Sequence, residues 1–159
     1  MERAAQGAAI QPNRLLTLRE GSAEGRLIGG NLNTMLGIFG SPYLPEIRDG
    51  DILLLEDKHL GAEEVEREFA QLALCGVSDR IGGLLLGKHI DYDDRGTGRR
   101  PHYILWEIAG AALERRNCPV LADFDCSHAM PMLTLPLGVR VRLDAGAQRL
   151  TLLEEWIGP

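Results

Sequence analysis

Apolar residues fall into two rhythms along this chain. Unbroken apolar blocks come first: Ile52–Leu55 in "DILLLED", Leu84–Leu86 in "RIGGLLLGKH", and a third, shorter block in "CPVLADF". Such runs, bounded by glycine or charge, predict strands covered on both faces, as in the middle of a parallel sheet. Between them the spacing changes to three and four. In "GAEEVEREFAQLALCG", Val65, Phe69, Leu72 and Ala73 share one helical face, acids lead, and Gly76 marks the stop. "HYILWEIAGAALERRN" predicts a second amphipathic helix with Ile104, Ile108, Ala111 and Ala112 turned inward. Near the end, "GVRVRLD" alternates strictly, which predicts a half-exposed antiparallel strand. "AQRLTLLE" follows a Gly-containing turn and pairs with it as a hairpin.

The first third is less regular. "RLLTLREG" predicts a short strand stopped at Gly21. "GRLIGGNL" predicts a strand running into a tight turn, with positive φ at Gly29 and Gly30. Asn31 is placed to cap the helical run "NTMLGIF", which the prolines of "GSPYLP" end. Residues 1–13 are Ala-rich and without period, and are expected to be a frayed end or linker remnant ahead of one domain over 14–159. Strand and helix alternate and a hairpin closes the series, so the expected fold is an α/β layered domain with a mixed β-sheet.

Composition narrows the function. A chain of 159 residues can bury a core without disulfide or metal. A net charge of −6 argues against nucleic acid as a partner, and Arg95, Arg99 and Arg100 are expected in a solvated loop. Cys75, Cys118 and Cys126 have neither zinc-knuckle nor redox spacing and are expected to be reduced thiols. The chain has no apolar run of membrane-spanning length, and its start is no signal peptide. A cytoplasmic location without membrane contact is therefore expected.

Two residues invite chemistry. Glu56 ends the "ILLL" block, and functional groups gather beyond the carboxyl ends of strands in α/β sheets. An acid there can equally lead the chain into solvent. His128 follows "VLADF" in a loop stiffened by Pro131 and Pro136, as a base or as a packed loop histidine. A base needs a nucleophile. Ser127 is adjacent to His128 and in extended chain points away. Cys126 could share a face with it as a Cys–His dyad. Ser22, Ser41 and Ser78 lie beside turn residues, and no GxSxG turn occurs. His59, His89 and His102 are weaker candidates; a metal site can be drawn from His59 and His89 with Asp57 or Asp91, but no HExxH spacing supports it.

"GRLIGGNL", "ILLLED", "GGLLLGK" and "SHAMPMLTLPLG", in this order and at about this spacing, resemble the C-terminal half of the LD-carboxypeptidase family of serine peptidases. That family includes the muramoyl-tetrapeptide carboxypeptidases and the microcin C self-immunity proteins. The resemblance covers roughly residues 20–153. It implies a swivelling β/β/α domain and a Ser-Glu-His triad split between two domains. Glu56 then matches the triad glutamate and His128 the triad histidine. Asn31 falls in a segment expected near the active-site cleft. The resemblance further implies a peptide or peptidyl-nucleotide substrate, a homodimer in full-length form, and no cofactor or metal. The serine belongs to an N-terminal domain that this sequence does not contain, so the chain alone is expected not to hydrolyse peptides. The alternatives are a non-catalytic binding or regulatory module of the same fold, and a metal-dependent hydrolase using His59, His89 and His128.

Overall fold

The computed structural model describes residues 14–89, 103–128 and 131–156. The predicted end at 1–13 and the stretch holding Asp91, Arg95, Arg99, Arg100 and His102 lie outside them. Among the described residues, seven strands and four helices follow in order: β1 (Leu16–Arg19), β2 (Ser22–Asn31), α1 (Leu32–Gly37), β3 (Ile52–Glu56), α2 (Ala62–Leu74), α3 (Val77–Arg80), β4 (Gly83–Gly87), α4 (Tyr103–Ala112), β5 (Val120–Phe124), β6 (Arg140–Asp144) and β7 (Arg149–Leu152). They form one sheet in the order β1-β5-β4-β3-β2-β6-β7. Strands β5, β4, β3 and the second half of β2 are parallel. Strand β1 at one edge and the β6–β7 hairpin at the other are antiparallel. The expected mixed α/β sheet is present.

Why the central blocks are apolar throughout is visible in the layers. On one face, Leu53, Leu55, Leu84 and Leu86 pack against Val65, Phe69 and Leu72 of α2 and Leu105, Ala109 and Leu113 of the α4 segment. Among the described residues, no helix covers the other face. Leu54, Leu85 and Leu121 are covered by Val141 and Leu143 of β6, because the sheet curls its hairpin end back over itself. Both residue sets of one strand are therefore buried, each by a different partner. The alternation of β6 fits this: Val141 and Leu143 point in, Arg140 and Arg142 point out.

Three expectations change. Gly29 and Gly30 have positive φ, 124° and 147°, but inside β2 and not in a turn. A Cβ on Gly29 would come within 1.9 Å of the Leu54 carbonyl oxygen, so the glycine lets β2 lie flush on β3. The α4 helix buries Leu105 and Ala109, leaves Ala111 exposed, and holds Ile108 and Ala112 half-buried. Apolar residues run nearly all round this helix, so periodicity alone picked a neighbouring face. In α2 the buried set is Val65, Glu68, Phe69 and Leu72, with Ala73 at the margin. The Asn31 cap is as expected: its side-chain oxygen accepts from the Thr34 N–H at 2.9 Å.

Candidate active site

The carboxyl ends of β2, β3, β4 and β5 lie side by side. Asn31, last in β2, stands in register with Glu56, last in β3. The chain leaving β5 passes through Asp125, Cys126 and Ser127 to His128. There the imidazole Nδ1 lies 2.9 Å from Glu56 Oε2, a contact between residues 72 apart in sequence. The carboxylate side chain is 13% exposed and the imidazole 49%. A carboxylate can only accept, so Nδ1 carries the proton and Nε2 is left as the basic nitrogen of the neutral ring. This is the tautomer that a general base requires.

The neighbouring groups fix this geometry. Asp57 is buried and accepts from Asn33 N–H at 2.8 Å and from Lys58 N–H at 2.6 Å, tying the start of α1 to the end of β3. Strand β5 carries one extra residue against β4 between Leu121 and Phe124, and Asp123 there has φ 58°. Bulges of this kind redirect the chain beside active sites. Beyond it, Lys88 pairs with Asp125, and the Asp125 carbonyl accepts from Leu133 N–H at 2.6 Å. Sequence reading passed over Lys88 and Asp125. The available signal was a pair of opposite charges, each directly after one of two neighbouring parallel strands.

The other candidates fare differently. Cys126 is buried, and burial first, then the charges of Glu56 and Asp125, pushes its thiol up to about 12. It stays protonated at neutral pH, and the thiolate is the nucleophilic form, so the Cys126–His128 dyad is set aside. Ser41 serves its turn, its Oγ accepting from Tyr43 N–H at 3.3 Å. Ser78 is buried in α3, Ser127 is buried, and Ser22 opens β2. His89 is buried with Nδ1 3.2 Å from the Gly87 carbonyl, while His59 is exposed with φ 63°. Among the described residues, no three His, Cys, Asp or Glu side chains come together as a metal site. His59, His89 and His128, the set drawn for a metal-dependent hydrolase, are therefore not brought together. Asn31 borders a cavity of about 200 Å³ lined by Ile28, Met35, Ile38 and Leu44. Its oxygen accepts the capping bond from Thr34, and its side-chain NH2 is a donor beside the cavity. Among the described residues, no helix is long and apolar enough to cross a membrane.

Residues 24–143 match the LD-carboxypeptidase C-terminal domain. A Vibrio cholerae protein provisionally named a carboxypeptidase is 47% identical over 93% of this chain and 43% of its own length. The microcin C7 self-immunity protein MccF of Escherichia coli is 45% identical over 86% of this chain and 39% of its own. A structure of MccF in complex with glutamyl sulfamoyl guanosine superposes with a TM-score of 0.83, at 44% identity, over 92% of this chain and 42% of that one. An MccF-like protein from Bacillus anthracis gives a TM-score of 0.73 at 25% identity, over 89% of this chain and 43% of that one. The chain thus spans less than half the length of the relatives it matches.

Proposed function

The chain belongs to the LD-carboxypeptidase family, whose C-terminal domain it carries, and from that premise we propose that it supplies the glutamate and histidine of a Ser-Glu-His triad. The single observation that carries the reading is the 2.9 Å bond between Glu56 and His128 at the carboxyl edge of the sheet. His128 takes the proton of a serine on a second domain as that serine attacks an amide carbonyl, then returns it to the leaving amine. Glu56 holds the imidazole in its Nδ1–H form and stabilises the imidazolium. Backbone amides of the second domain stabilise the oxyanion. The partner is that nucleophile-bearing domain, and the assembled enzyme acts as a homodimer in the cytoplasm, without metal or cofactor.

The substrate is a peptide or peptide-like amide, either a cell-wall L,D-peptide or a peptidyl-nucleotide. MccF has been captured with glutamyl sulfamoyl guanosine and with aspartyl sulfamoyl adenosine, which favours the nucleotide side. Asn31 contributes its amide donor to substrate at the cleft. A binding module of the same fold would have no reason to pair Glu56 with His128, and the pair therefore favours the hydrolase. The test is to assay the chain alone and the chain fused behind the amino-terminal half of a relative. The expected result is no turnover alone and amide hydrolysis by the fusion, lost on His128→Ala. A fusion whose turnover survives His128→Ala overturns the reading.

A further inference from the structure

Glu56 and His128 do not come from neighbouring strands. Strand β4 lies between β3 and β5, so their hydrogen bond passes across the end of β4. The residue at that end is Gly87. Leu55 pairs with Leu86, which sets Glu56 beside Gly87, and Gly87 in turn pairs with Phe124. A Cβ built on Gly87 would lie 2.8 Å from the Glu56 Cβ and 2.3 Å from the Cys126 carbonyl oxygen. Neither neighbour is the loose end of a side chain. One is the root of the catalytic carboxylate and the other is backbone two residues before His128. Gly87 is not among the positive-φ residues, so space and not torsion calls for glycine here.

We infer that Gly87 is a positioning residue: the absence of a side chain at the end of β4 is what lets Glu56 reach His128. This rests on reading that pair as two parts of a triad. Any larger residue must push the carboxylate and the His128 segment apart. A shift of about 1 Å in such a site costs on the order of a hundredfold in rate.

The test reads the His128 tautomer in the chain as it stands, from the ring nitrogen shifts of the neutral imidazole by NMR. The wild type is compared with Glu56→Gln, Gly87→Ala and Gly83→Ala. The last is a matched control. Its Cβ would crowd Leu143, Ile52 and Pro119 at 3.1–3.3 Å, but at the opposite end of the same strand. The expected result is a mainly Nδ1–H ring in the wild type and in Gly83→Ala. In Gly87→Ala the ratio moves toward Nε2–H by roughly fivefold, the worth of one hydrogen bond, as in Glu56→Gln. An unchanged tautomer in Gly87→Ala, or an equal change in Gly83→Ala, overturns the inference and leaves the triad reading standing. A wild-type tautomer indifferent to Glu56→Gln overturns both. Where Gly87→Ala does not fold, cross-relaxation in the wild type between the Gly87 α-protons and the Glu56 β-protons decides: its presence supports the inference, its absence overturns it.

Discussion

Lys88 Nζ lies 2.5 Å from Asp125 Oδ1, so an ion pair joins the first residue beyond β4 to the first beyond β5. Both side chains are mostly shielded, at 22% and 17% exposed. Lys88→Met keeps the stem but strands the Asp125 carboxylate. The expected loss is about 1–3 kcal/mol in urea unfolding, the cost of leaving a shielded polar group unpaired. Adding Asp125→Asn should recover part of it, because the two changes are coupled. Equal and additive losses would mean that the pair contributes nothing to holding the loop.

Glu56→Gln should separate chemistry from stability. In the fusion described above, kcat should fall on the order of ten-thousandfold with KM little changed, as expected when a triad acid is lost. The folded chain should lose no more than about 1 kcal/mol, since half of the imidazole is in water and solvent weakens exposed pairs. A large stability loss with modest loss of kcat would reassign the pair to structure.

Thiol accessibility checks the rejected dyad. Cys75 is exposed, while Cys118 and Cys126 are buried, and burial pushes both of their thiols up. Iodoacetamide at pH 8 should modify Cys75 first, and the other two only after unfolding. Cys126→Ala should leave the turnover of the fusion intact. Fast labelling of Cys126 in the folded chain would reopen a nucleophilic role.

Glu68 should make stability depend on pH. It is 6% exposed on the inner face of α2, and its Oε2 has no hydrogen-bond partner among the described residues. Burial, then the charges of Asp57 and Glu64 against that of Arg67, raises its carboxyl to about 7 from 4.5. The folded state therefore holds this proton where the unfolded chain has released it. Its contribution worsens as pH rises from about 4.5 to 7 and is constant above, with a slope of at most about 1.4 kcal/mol per pH unit. Glu68→Gln should therefore gain stability over the wild type at pH 8, with the gain fading toward pH 5. Parallel pH profiles of the two proteins would show that Glu68 does not titrate across this range.

The apolar blocks of β3 and β4 announced strands covered on both faces because two separate layers cover them, and that demand is written in the residues. Asn31 was legible as a cap because its oxygen meets an N–H only three residues on. The triad resemblance picked out Glu56 and His128 because motif and strand end coincide. What stayed hidden depends on distant chain. Glu68 on an inner helical face is invisible to a rule that places acids outside. The face of α4 could not be chosen while apolar residues ringed it. Gly87 looked like a strand terminator until β3 and β5 were laid on either side of it.

Strand β2 spends its ten residues on two different neighbours. Gly25 and Arg26 bond to Val141 and Arg140, while Leu27 to Asn31 bond to β3. During synthesis the second half can pair as soon as Glu56 has left the ribosome, but the first half must wait for some eighty further residues. A nascent chain halted before β6 would hold Glu56 in place while one flank of β2, and the underside of Leu54 and Leu85, stood open to any passing edge. Amide-exchange protection in chains cut before Arg140 should accordingly break off in the middle of β2, and that unguarded interval is where chaperone capture would be expected.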